Sequence, residues 1–153
     1  MKTLRILSAC ALAMVMLTGA FSTLAQDKGD GTLLILITGL DDYKGQLLVA
    51  LYKSSDEFPG ETPDKGWGTV IRKNEELIRF DHVPYGRYAI AVIHDQNNDG
   101  KLNKNFVGIP VEGYGFSNNA MGKCGPPTFT DASFIFSRNY DTRVIALNYG
   151  IPR

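Results

Sequence analysis

The sequence predicts an all-β domain, an antiparallel sandwich of the immunoglobulin-like or transthyretin-like kind with about seven strands. Three observations lead there. Short apolar runs of strand length recur along the chain, and clusters of Pro, Gly, Asn and Asp separate them. Between them lies no helical pattern of roughly 10–15 residues, which a βαβ fold needs. Internal repeats and low-complexity runs are absent.

Residues 1–25 read as a signal peptide. Lys2 and Arg5 form a basic start, Ile6 to Ala20 is apolar, and Thr23-Leu24-Ala25 ends in a small residue suited to cleavage. A transmembrane anchor fits less well, because the apolar run falls short of the ~20 residues a span requires. Leu7-Ser8-Ala9-Cys10 imitates a lipoprotein box, but the best of the apolar run follows the cysteine instead of preceding it. The expected location is therefore periplasmic or extracellular. Cleavage leaves 153 − 25 = 128 residues, 26–153, enough for one domain with its own core. The same cut removes two bases and no acids, so 14 bases face 16 acids. No basic patch remains to neutralise phosphates, which excludes nucleic acid as an expected partner. Cys124 is then the sole cysteine, so no internal disulfide forms and the core holds the fold unaided.

Thr32 to Leu40 is a Leu/Ile-rich buried strand closed by Gly39, and Asp41 to Gly45 a turn. Gln46 to Lys53 is the second strand, which makes the pair a hairpin. Pro59, Gly60 and Pro63 mark a loop from Ser54 to Gly66, with room for one helical turn at 54–58. Gly68–Arg72 and Glu75–Phe80 are weaker strands. Val83-Pro84-Tyr85-Gly86 is turn chemistry, and Arg87 to His94 is a strand apolar on both faces, as a central strand is. Tyr88, Ile90 and Val92 share one face; Ala89, Ala91 and Ile93 share the other. Thr130–Ser137 and Arg143–Tyr149 complete the set. Asn103 to Thr128 is long for a connection, and its aromatic and branched residues predict an ordered excursion packed over one end of the sandwich.

The central strand delivers Asp95-Gln96-Asn97-Asn98-Asp99-Gly100-Lys101-Leu102-Asn103. Asp95, Asn97 and Asp99 offer oxygens at alternate positions, Gly100 permits a sharp turn, Lys101 offers a carbonyl, and Asn103 fits the ninth position. This is the spacing of a Ca²⁺ loop, except that Phe106 stands where the bidentate Glu belongs, so Glu112 or a carboxylate from elsewhere would have to complete the shell. With few carboxylates and Lys101 and Lys104 close by, any affinity would be weak, about 10⁻⁴–10⁻³ M. The alternative is an Asn/Asp/Gly turn held by side chain–backbone bonds, with no ion.

Two longer patterns carry a family resemblance. Phe80-x-x-Val83-Pro84-x-Gly86-x-Tyr88-x-Ile90-x-Val92 resembles the turn-and-strand signature of transthyretin-like sandwich domains. His94-Asp95-x-Asn97-x-Asp99-Gly100-Lys101-Leu102, Phe106-x-Gly108-Ile109-Pro110-x-Glu112-x-Tyr114-Gly115-Phe116-Ser117-Asn118-Asn119-Ala120 and Gly125-Pro126-Pro127-x-Phe129 resemble the bacterial domain-of-unknown-function family 2141. The resemblance covers residues 32–149. It implies a small exported sandwich and assigns no activity.

His94 and Asp95 are neighbours on a strand and point to opposite faces, so neither orients the other for catalysis. His82, His94 and one Cys are too few for a zinc site. Gly115-Phe116-Ser117 lacks the second Gly of a nucleophile elbow. Phe106, Tyr114 and Phe116 beside Asn118 and Asn119 are a candidate platform for a sugar or peptide, or else rings that cap the core. The sequence thus favours a non-catalytic exported module for binding or envelope structure, with a carbohydrate or envelope protein as partner. An enzyme or accessory subunit working from residues 95–119 is the alternative.

Overall fold

A computed structural model describes residues 29–53, 58–60, 63, 65–71 and 75–150. The expected signal peptide and the expected helical turn at 54–57 lie outside the described residues. Nine strands form two packed sheets among the described residues, an all-β sandwich. The smaller sheet has β1 (Asp30–Thr38) between β4 (Glu76–Pro84) and β8 (Tyr140–Ala146). The larger runs in the order β3 (Lys65–Val70), β2 (Gln46–Lys53), β5 (Gly86–Asp95), β6 (Gly113–Phe116) and β9 (Asn148–Tyr149). The short β7 (Phe134–Phe136) pairs with the start of β5, beside the β6 pairing.

β1 and β2 are not a hairpin. Each carries an inward apolar row, Leu33/Ile35/Ile37 and Leu47/Val49/Leu51, and all six side chains are buried in the inter-sheet core. Two such rows bury more by facing each other across the sandwich than by lying side by side, so residues 39–45 cross between sheets. β1 also pairs in parallel with β8, a departure from the antiparallel expectation.

β5 is central, as its two apolar faces predict. β2 lies along one edge and β6 and β7 along the other. Tyr88, Ile90 and Val92 enter the inter-sheet core, while Ala89 and Ala91 join a second cluster on the outer face. There Phe58 stacks edge-on with Tyr52, Phe116 and Phe129 at 5.3–6.0 Å. Thr130–Ser137 is only partly strand. Thr128 and Asp131 form a reciprocal capping box that starts α1 (Phe129–Ala132), and extended pairing begins at Phe134. The last predicted strand is divided, since β8 ends at Ala146 in the smaller sheet and β9 joins the larger one.

The 103–128 excursion is ordered and contains β6, but burial of its tip is not the reason. Phe106 is 99% exposed, and Ile109 and Val111 are also exposed. A turn holds the tip: Asn105 Oδ1 accepts the Val107 and Ile109 N–H groups, and Asn105 N–H bonds the Ile109 carbonyl. β6 then fits closely over the smaller sheet because Gly115 lacks a Cβ, which would lie 2.8 Å from Ile145 Cγ2. No described helix is long and apolar enough to cross a membrane.

Candidate ligand cleft and the acidic loop

The acidic loop is closed by its own hydrogen bonds. Asp95 is fully buried; Oδ1 accepts Asp99 N–H at 3.1 Å, and Oδ2 accepts Gly100 N–H and the Gln46 amide at 2.9 Å each. Asn97 Oδ1 accepts Asp99 N–H, and Asp99 Oδ1 accepts Lys101 N–H. Asn103 and Asn97 donate their amides to Asp99 Oδ2 at 3.0 and 3.2 Å. Those donors, Asn103 foremost, hold the carboxyl of the exposed Asp99 below its usual range. Gly100 takes a φ of 79°, the left-handed turn that glycine supplies without strain. The structure thus gathers Asp95, Asn97, Asp99 and Asn103 into one loop and gives each oxygen a donor from the chain. Glu112, which the sequence offers as a carboxylate to complete an ion's shell, instead closes the loop through backbone donors. Buried Glu112 accepts Gln96 N–H on Oε1 and Asn103 N–H on Oε2, both at 2.9 Å, tying the two ends of the loop to the excursion.

His94 and Asp95 diverge as strand geometry requires. The fully buried His94 ring meets Lys44 O through Nε2 at 2.9 Å and the Tyr149 hydroxyl through Nδ1 at 2.7 Å. A carbonyl only accepts, so Nε2 carries the proton in the neutral ring and Nδ1 takes the tyrosine's. Burial raises the Tyr149 hydroxyl well above the usual phenol range. Asp41 and Asp42 stand within 4 Å of the imidazole, but both ring nitrogens are already engaged, so His94 has no lone pair left for a metal. Ser117 is likewise structural: its hydroxyl accepts Ile90 N–H and donates to the Ala132 carbonyl. His82 is exposed on the other sheet, against Asp30.

A cleft lies on the outer face of the larger sheet. Register places Gly66, Ala50, Ala91 and Phe116 in one cross-strand row and Gly68, Leu48, Ile93 and Tyr114 in the next. Side chains alternate along a strand, so these rows share the face opposite the core. Gly and Ala keep the floor low on three strands, and the two rings of β6, 6.1 Å apart and edge-on, raise one side. The second aromatic cluster runs into this floor: Ala91 and Phe116 are buried within it, and Ala50 and Tyr114 pack against it. The loops at 102–110 and 121–126 stand over the remainder, enclosing a cleft of about 1090 Å³. That volume is at the upper end of small-molecule sites.

Of the predicted ligand platform, only Tyr114 and Phe116 come together. Phe106 does not line the cleft. The Asn118 amide donates to the Asp131 and Ser133 carbonyls, and Asn119 Oδ1 accepts Ala146 N–H, so both amides are tied to the backbone. Small residues at alternate positions, Ala50 opposite Ala91 and Gly66 near Gly68, were the available signal for the cleft, but its meaning depends on strand register.

Fold and site together define an all-β sandwich with an aromatic-sided cleft on its larger sheet. A model of the bacterial family described as "Uncharacterized protein conserved in bacteria (DUF2141)" matches residues 35–144. The chain belongs to that family. Comparisons with curated proteins and with solved structures gave no match.

Proposed function

We propose that the protein is an exported, non-catalytic binding module that takes an apolar small molecule in the cleft of its larger sheet. The floor carries this reading: two cross-strand rows of Gly, Ala, Leu and Ile end in Phe116 and Tyr114 where a sandwich strand ordinarily presents polar residues, and Leu48, Ala50, Ile93 and Tyr114 remain only half-buried along the cleft. Export rests on Lys2, Arg5 and the apolar run to Ala20. Lys104, Lys123 and Cys124, the lining groups with catalytic chemistry, are exposed and have no carboxylate or imidazole beside them among the described lining residues, an arrangement that favours binding over catalysis. A carbohydrate suits the site less than an apolar ligand, because the Asn118 and Asn119 amides are bonded elsewhere. In this reading the Asp95–Asn103 loop supports one wall, since Leu102 and Lys104 line the cleft, and its order does not depend on bound Ca²⁺.

The test is fluorescence titration of the purified protein with the neutral dye Nile red. Saturable binding that is lost in Ala50→Trp, which fills the floor, supports the cleft. Absence of binding, or binding unaffected by Ala50→Trp in a variant that melts like the wild type, overturns it.

A further inference from the structure

We infer that the ligand of this cleft is a single-chain amphiphile with a terminal carboxylate, a fatty-acid-like molecule; the inference rests on the cleft being a binding site. The floor and one wall are apolar, from Leu48 and Ile93 across to Ile109 and Met121. The opposing loops each contribute one cation, Lys104 from 102–110 and Lys123 from 121–126. Both lysines are exposed, and neither pairs with a carboxylate among the described residues. Arg79 and Arg143, by contrast, are held by Asp81 and Asp141. An apolar trough with two unpaired ammonium groups and no acid among its described lining residues attracts an anion attached to a hydrocarbon and disfavours a cationic one. No arginine is among the described lining residues and no described helix N-terminus opens into the cleft, so neither a bidentate fork nor a helix dipole is there to favour a phosphate over a carboxylate. The two ammonium groups supply point charges, sufficient for a singly charged terminus such as a carboxylate.

Isothermal calorimetry of the delipidated protein with dodecanoate, dodecanol and dodecyl phosphate, each as free monomer, tests this. Dodecanoate should bind about threefold to tenfold more tightly than dodecanol, the scale of two solvent-accessible ion pairs. That advantage should shrink in high salt and vanish in Lys104→Ala/Lys123→Ala, where acid and alcohol should bind alike. Dodecyl phosphate should bind no more tightly than dodecanoate. Equal affinity for acid and alcohol, a preference that survives the double substitution, or a preference for the phosphate overturns the carboxylate assignment and leaves the cleft standing. If none of the three binds, the cleft reading itself fails.

Discussion

Asn103 N–H meets Glu112 Oε2 at 2.9 Å, and the other oxygen of that buried carboxylate holds Gln96 N–H at the same distance. One side chain therefore fixes both ends of the acidic loop and, through it, the wall that carries Leu102 and Lys104. Glu112→Gln keeps the shape but turns an NH₂ group toward one of two backbone donors. The expected loss is about 1–3 kcal/mol, read from the urea midpoint at constant slope. A loss below ~0.5 kcal/mol would show that the loop closes without Glu112.

Ile90 sits in the middle of β5 with no exposed surface, facing the smaller sheet. Ile90→Ala should cost about 2–5 kcal/mol, from lost transfer energy plus the cavity left behind. Chemical denaturation gives the value directly. Less than ~1 kcal/mol is incompatible with a central strand.

Asp95 separates a self-closed loop from an ion-dependent one. Asp95→Ala leaves the Asp99 and Gly100 N–H groups and the Gln46 amide without this acceptor, a loss of about 1–3 kcal/mol. The account expects that loss in chelator as well as in 10 mM Ca²⁺. Melting curves in which the variant differs from the wild type only when calcium is present would make the loop a cation site.

Acid should weaken the smaller sheet through Asp81. The Arg79 guanidinium, then the Thr32 hydroxyl, hold this carboxyl at about 2, below its ordinary 3.8. A folded-state value below the unfolded one contributes stability that is present above about pH 4 and is lost as the pH falls toward 2. Asp81→Asn should therefore show a shallower fall in melting temperature across that window. Parallel curves for variant and wild type would mean that the Arg79–Asp81 pair does not survive in solution.

Local pattern made much of this fold legible. β2 begins and ends at the residues its apolar run predicts, and the two faces of β5 separate as its alternation requires. Pairing was less legible, because an apolar strand beside a short turn looks the same whether it folds back in its own sheet or crosses to the other. β1 and β2 do the latter. β6 escaped because Gly-Tyr-Gly-Phe has little strand propensity, and its place depends on Gly115 fitting over Ile145. The capping box at Thr128 and Asp131 has a readable spacing that the alternation from Ala132 onward masked. The acidic loop's composition was plain, but its closure by Glu112 required the fold. So did the cleft, whose rows exist only once four strands are in register.

The most direct measurement of the central claim is an amide-resolved NMR titration of the purified protein with dodecanoate. The account predicts saturable shifts at Ala50, Ala91, Ile93, Tyr114 and Lys123, with Leu36 and Val144 on the outer face of the smaller sheet unmoved. Shifts centred on Leu36 and Val144, or none at saturating ligand, would contradict it.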